Sequence, residues 1–399
     1  VSSFALASWA GWLVVVLLGW LLRSRAYAVF RGVTLALQVL ISSALVGYFE
    51  PVLPLVVYLQ VTVFVSSLFL IRPRLRGLFY RATVSVPAAF FAAGTLLALP
   101  WALVAAFGLP PYGAFVPYAL AAVGIVQSLA TREEAIDVVV ADGEDVDGLQ
   151  RHRASAGRVE RPLRIVQLTD PHLGPFMSVG RLRRICERAV RREPDLVVLT
   201  GDFLTMESQG RPELLSEALA PLRALEGRTF ACLGNHDHEA LDTVREALAS
   251  AGVTLLVDAA AEVRTAAGDV QVVGLDFVWR NRDKHLAEVT RAHPRRPAHL
   301  RLLLLHDPGA FRHVPAGEGD LVLSGHTHGG QVGFVSLGLP YTLMRLFAKI
   351  PDHGLWARGK DRLYVHRGTG HYGFPLRLGV PAEESLLHVH ALALQTDAA

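Results

Sequence analysis

Five short clusters of Asp, Asn and His stand out because each follows directly on an apolar run. They are Asp170-Pro171-His172 after RIVQLT, Gly201-Asp202 after DLVVLT, Gly234-Asn235-His236-Asp237 after TFACL, His306 after LRLLLL and Gly325-His326-Thr327-His328 after DLVLS. Carboxylate and amide oxygens with imidazole nitrogens, and no thiolate, make a donor set suited to Mn, Fe, Zn, Co or Ni. The glycines beside them, followed by Gly329 and Gly330, let the backbone turn sharply where each run stops. In a straight strand the two rings of His326-Thr327-His328 would share one face. In a glycine-bounded loop they can be aimed at two different ions.

The runs before the clusters read as buried strands: Arg164–Leu168, Asp195–Leu199, Thr229–Leu233, Leu300–Leu305 and Asp320–Leu323. Amphipathic helical patterns at about 179–192, 212–225 and 239–250 lie between them, 253–276 reads as strands with a hairpin, and Asp361–Val365 and Ser385–Ala391 add late strands. Strand–helix alternation argues for a layered α/β domain. In such folds ligands bind at the carboxyl ends of strands, so the five clusters can converge on one place.

The ordered set D-x-H, G-D, G-N-H-D, H and G-H-x-H resembles the calcineurin-like metallophosphoesterase superfamily over about 160–395. The strings LSGHTHGGQ (323–331) and YVHRGTGHYGFPLRLGVPAEESL (364–386) look like the branch that holds phosphodiesterases similar to UDP-2,3-diacylglucosamine pyrophosphatases, and transmembrane proteins bearing such a domain. The resemblance implies a four-layer αββα sandwich and two divalent metal ions, Mn foremost, bridged by Asp202. Asp170, His172 and His328 would complete one site and Asn235, His306 and His326 the other. His236 would stand beside the scissile phosphate as general acid or as a cation facing the equatorial oxygens. Paired cations clamp the attacking and leaving oxygens and lower the pKa of a bridging water, so a metal-bridging hydroxide is the expected nucleophile. His371 and Arg367 are the candidate substrate contacts, and Asp237 and Asp307 candidate partners that orient ligand His rings. His238 has no assigned role, and His152, His293, His299, His388 and His390 read as structural or exposed.

The first third of the chain is of another kind. Only seven of the 39 basic residues, one of the 36 acidic residues and none of the 16 His fall within 1–130. Five apolar stretches, at about 4–22, 33–49, 51–71, 83–108 and 111–130, predict an all-helical transmembrane region of about five spans. The first lacks a basic leader and is no ordinary signal peptide. Arg23, Arg25 and Arg31 in one turn and Arg72, Arg74, Arg76 and Arg81 in another mark the cytoplasmic side, which places residues 131–399 in the cytoplasm. The expected organisation is therefore a transmembrane region at 1–130, a linker with a short edge strand at 131–163 and the metallophosphoesterase domain at 164–399. Such a chain is an integral, multi-pass protein of an inner or plasma membrane. Cys186 and Cys232 are too few for a disulfide scaffold and read as buried thiols.

The net charge of +3 is the sum of two unlike parts, which argues against a nucleic-acid surface built on bulk charge. The expected partners are the bilayer and a phosphoester, lipid-linked by position. The segment 332–350 reads either as a helix packed over the sheet or as a lip that touches bilayer or an acyl chain. The expected reaction is hydrolysis of a phosphodiester or pyrophosphate bond. Its rivals are a broad phosphomonoesterase or phosphoprotein phosphatase, and a membrane sensor that binds metal or lipid without turnover.

Overall fold

The computed structural model describes residues 2–140, 146–153, 159–371, 373 and 375–391. Two compact units emerge, Val1–Leu129 with Gly373–Leu378, and Ala130–Tyr372 with Gly379–Ala399.

The first unit is helical. Two helices, Ser3–Leu22 and Arg25–Phe69, are long and apolar enough to cross a membrane, and the bent pair Leu78–Leu97 and Leu99–Ala106 makes up to three. The bend of 54° falls at Ala98, next to the Leu99-Pro100 step, where proline has no amide for the preceding turn. Among the described residues the five separate spans expected from the apolar stretches are not found. The second and third stretches are the two arms, Arg25–Leu45 and Leu53–Phe69, of one continuous helical run. The last, Val116–Ser128, is a helix of 13 residues, about 20 Å at the α-helical rise and short of a hydrocarbon core of about 30 Å. The Arg25–Phe69 run folds back at the 3₁₀ turn Val46–Val52, where Phe49 leaves helical geometry. Its ends meet: Tyr27 Oη donates to the Ser67 carbonyl and Arg23 to that of Leu70. Val15, Leu35, Val56 and Phe91 form the core between the helices. Leu6, Leu21, Phe30 and Leu103 stay exposed on the outside, a surface suited to an apolar solvent.

The second unit holds two sheets. The strands are β1 (Thr131–Val140), β2 (Val146–Arg151), β3 (Leu163–Leu168), β4 (Leu196–Leu199), β5 (Thr229–Ala231), β6 (Thr254–Leu255), β7 (Ala259–Thr265), β8 (Gly268–Leu275), β9 (Leu300–Leu305), β10 (Leu321–Ser324), β11 (Gly354–Gly359), β12 (Asp361–Val365) and β13 (Ala382–Ala391). One sheet has the order β1-β13-β3-β4-β5-β6 and the other β2-β11-β12-β10-β9-β8-β7. Strands β3 to β6 are parallel, as are β8, β9, β10 and β12. The period of two along each strand sorts side chains into layers. Val166, Leu168, Val197 and Leu199 face the helices Val179–Arg191, Pro212–Leu219 and Leu241–Ser250. Their neighbours Ile165, Leu196 and Val198 meet Leu302, Leu321 and Leu323 of the other sheet. Leu303, Leu305 and Val322 turn outward against Leu286 and Val289 of Arg282–Ala292. Helix, sheet, sheet and helix follow in that order.

The described residues of 131–163 give an edge strand to each sheet, β1 beside β13 along its whole length and β2 beside β11. No regular helix covers 332–350. That segment makes two 3₁₀ turns, Val335–Leu337 and Leu343–Leu346.

Candidate metal centre

All five polar clusters leave the ends of parallel strands β3, β4, β5, β9 and β10. Asp170, His172, Asp202, His326 and His328 hold left-handed backbone angles, with φ of 50°, 44°, 57°, 68° and 51°. Strained backbone of this kind persists only where the surroundings over-determine it, and it concentrates at functional sites.

The side chains gather in two groups, Asp170 with His172 and His328, and Asp202 with His306 and His326. In the first, the Nε2 atoms of His172 and His328 are 3.2 Å apart, and His328 Nε2 lies 3.4 Å from Asp170 Oδ1. In the second, His326 Nδ1 lies 3.2 Å from His306 Nε2, and His306 Nε2 3.3 Å from Asp202 Oδ2. Asp202 Oδ2 is also 3.7 Å from His172 Nε2, so this one carboxylate stands between the groups. Asn235 points a buried Oδ1 with no hydrogen-bond partner. A buried amide oxygen without a partner costs free energy unless something positive meets it.

Neighbouring groups fix the donors. His306 Nδ1 donates to the Thr200 carbonyl at 2.6 Å, which leaves Nε2 as the lone-pair nitrogen. Thr169 Oγ1 donates to Asp170 Oδ2 at 2.7 Å, and the His326 amide donates to the same carboxylate. Asp237, expected to orient a His ring, accepts instead from the backbone amides of Asp202, Phe203 and Gly234. Asp307 likewise turns away from the rings, to Arg282 at 2.7 Å and the Gly309 amide. His236 is half-buried. Its amide donates to Asp202 Oδ1 at 2.9 Å, its Nδ1 lies 3.1 Å from Glu239 Oε1, and its ring centre is 5.8 Å from that of His172.

Burial and neighbouring charges compete in the electrostatics of the site. Burial pushes the His172 and His326 imidazoles down to about 4. Burial opposes the charge on Asp202 too, but His306 draws that carboxyl well below the usual range, and Asp202 in turn raises His306. His172 and His326 are therefore neutral beside the ionised Asp202, as metal ligation needs, whereas His306 is held protonated by that carboxylate and would give up its proton to a bound cation. The donor set, the paired ring nitrogens at 3.2 Å and the unpartnered Asn235 oxygen fit two divalent cations.

The two expected substrate contacts fare differently. The loop before His371 is laced to the first cluster, with the Thr369 amide donating to the Thr169 carbonyl and the Gly370 amide to that of Asp170. His371 itself is buried, with its ring 5.5 Å from Phe176. Arg367 has its guanidinium engaged by Glu134 at 2.7 Å and Glu383 at 2.8 Å, where it ties β1 to β13. His238 pairs with Asp276 at 2.9 Å. Sequence reasoning missed Thr200, Glu239, and Phe277, whose ring lies 6.4 Å and 6.2 Å from those of His306 and His326. Of these only Glu239, three residues after His236 in a tight turn, carried a local signal.

The calcineurin-like phosphoesterase family pattern matches residues 163–330, the stretch that holds every one of the seven donors. Phosphodiesterase YaeI of Escherichia coli is 32% identical over 238 residues, which cover 57% of this chain and 82% of that protein. An uncharacterized metallophosphoesterase of Helicobacter pylori is 28% identical over 239 residues, 58% of this chain and 61% of its own. A transmembrane protein with metallophosphoesterase domain from Danio rerio is 33% identical over 239 residues, 55% of this chain and 52% of its own length, so the match spans about half of that relative. Fold, donor set and sequence agree: the chain belongs to the calcineurin-like phosphoesterase family, and its chemistry is metal-dependent phosphoester hydrolysis.

Proposed function

We propose that the protein is a membrane-anchored, binuclear phosphohydrolase that cleaves a phosphodiester or pyrophosphate bond in a lipid-linked substrate. The observation that carries this reading is Asp202 Oδ2, 3.3 Å from His306 and 3.7 Å from His172, one carboxylate within reach of both donor groups. Asp170, His172 and His328 would hold one cation and Asn235, His306 and His326 the other, with Asp202 within reach of both. Two divalent cations held there, Mn foremost, would supply Lewis acidity to the phosphoryl oxygens and to the attacking water.

The remaining work falls to the chain. His236 holds a proton for the leaving oxygen, and Glu239 accepts from its Nδ1, which leaves Nε2 for the reacting centre. Glu239 and the Asp202 charge raise the His236 pKa against the opposing effect of burial, as a proton donor requires. Asp237 keeps the Asp202 backbone in its left-handed turn. The loop before His371 closes the side next to Asp170, and substrate contact falls to His371 rather than to the engaged Arg367. The diester preference draws on the name of the Escherichia coli relative, and the anchoring on the long apolar helices and the transmembrane relatives. The arginine-rich turns at 23–31 and 72–81 support a cytoplasmic side for those turns of a multi-pass anchor, and the proposed reading sets the catalytic unit on the same side.

The test is hydrolysis of bis-p-nitrophenyl phosphate by the full chain in detergent, stripped of metal and then given Mn²⁺, with Asp202→Ala and His236→Ala alongside. Turnover restored by metal and lost in both variants supports the reading. Faster turnover of p-nitrophenyl phosphate would favour a monoesterase. Two bound equivalents of metal with no turnover on any phosphoester would make the protein a sensor.

A further inference from the structure

Between the His328-Gly329-Gly330 turn and β11, the chain makes a lip that exposes Phe334, Leu337, Leu339, Tyr341, Leu346 and Phe347. Leu346 is 75% exposed and Phe347 83%. Soluble surfaces rarely gather large apolar side chains so closely without a partner.

The lip is nonetheless firmly held. Its base closes through an antiparallel bridge between Gly333 and Thr342, with the Phe334 amide donating to the Tyr341 carbonyl at 2.9 Å and the Leu343 amide to that of Val332 at 2.8 Å. Thr342 Oγ1 donates to the buried carboxylate of Asp352 at 2.6 Å, and the Asp352 carbonyl accepts from Thr327 Oγ1 at 2.6 Å. Asp352 thus ties the lip to the turn that carries His326 and His328.

The charges on the lip point to its occupant. From 321 to 351 there is no acidic residue, and Arg345 and Lys349 flank Leu346 and Phe347. Cations beside apolar side chains match the headgroup and upper acyl layers of an anionic bilayer. A second copy of the chain fits less well, since a two-fold contact through this patch sets Arg345 and Lys349 against their own equivalents with no carboxylate to pair them.

We propose that the lip at 333–347 inserts into the surface of an anionic membrane, which sets the metal centre next to the headgroups. This rests on the membrane-anchored reading for the nearness of the bilayer and not on the reaction assigned to the site. The test therefore reads depth rather than turnover. Cys186 and Cys232 are both fully buried, so a cysteine introduced in the full chain at Leu346→Cys is selectively labelled with a polarity-sensitive fluorophore. Glu246→Cys, exposed on the helix Leu241–Ser250, is the reference.

The proteins are reconstituted in phosphatidylcholine vesicles with or without phosphatidylglycerol. The expected result is a blue shift and quenching by a lipid-borne quencher at 346 but not at 246, stronger with phosphatidylglycerol and weakened by Arg345→Glu with Lys349→Glu. Iodide quenching at 346 equal to that at 246, with no lipid quenching, overturns the proposal. Disulfide cross-linking between Leu346→Cys copies overturns it in favour of a second copy. Loss of turnover on phosphoesters with lipid quenching intact would sink the enzymatic reading and leave the lip standing.

Discussion

Asp237 positions Asp202 through the backbone. Its Oδ2 accepts from the Asp202 amide at 2.8 Å and from Gly234 at 2.7 Å, and its Oδ1 accepts from Phe203 at 2.8 Å. Three amides converge on one carboxylate beside the left-handed turn at Asp202, whose φ is 57°. Asp237→Asn keeps one oxygen but turns an NH₂ toward an amide N–H. The expected cost is about 1–3 kcal/mol of stability. A fall of roughly 10–100-fold in metal affinity or activity should accompany it, as for other groups that orient metal ligands. Melting curves and Mn²⁺ titration of the variant check both, and a wild-type metal affinity would show that Asp202 needs no such support.

Close packing around Asp170 makes a second prediction. A Cβ on Gly325 would lie 2.2 Å from Asp170 Oδ2 and 2.3 Å from Thr169 Oγ1, so alanine there must displace the carboxylate. Gly325→Ala should lose one equivalent of bound metal by elemental analysis while the protein still folds. Gly210→Ala, with nothing within 4 Å, should bind as the wild type does. Two equivalents retained in Gly325→Ala would mean that Asp170 is no ligand.

The donor groups could be read from the chain because their residue types are unusual where they stand. An Asp, Asn or His directly after an apolar strand is costly unless something meets it, and a glycine beside it marks the turn. Pairings across the chain left no such trace. Arg367 resembled a phosphate ligand because Glu134, its partner 233 residues away, is invisible to local spacing. Strand β2 was hidden in a polar stretch because it lies at a sheet edge, where one neighbour suffices. The apolar stretches revealed composition but not where helices break, which depends on Pro100 and on the kink at Phe49.

Glu239 sets a third expectation. Its Oε1 lies 3.1 Å from His236 Nδ1, while Gln209 Nε2 donates to its Oε2 at 2.9 Å. Replacement by Gln keeps the size and removes the charge. His236→Ala should reduce kcat by roughly 10²–10⁴ as loss of a proton donor does. Glu239→Gln should fall between that variant and the wild type, with KM nearly unchanged. A shift in KM alone would place Glu239 in substrate binding instead.

Glu383 governs acid stability away from the metal donors. It is fully buried and accepts from Tyr364 Oη at 2.8 Å, Ser385 Oγ at 2.9 Å and Arg367 Nε at 2.8 Å. Burial opposes its charge, but Arg367, His366 and these hydrogen bonds prevail and hold the carboxyl down to about 2 from its usual 4.5. A carboxylate depressed in the folded state stabilises it above the unfolded pKa and loses that contribution as pH falls through the folded one. Here the contribution is of the order of 3 kcal/mol at neutral pH and is lost between about pH 4.5 and 2. Glu383→Gln removes one of the two carboxylate charges set against Arg367, so it should melt below the wild type at pH 7. The gap should close as the pH is lowered toward 3, because the wild type then loses what the variant never had. Melting temperatures of both proteins across that range decide it, and a gap that stays constant would show that the charge on Glu383 contributes nothing.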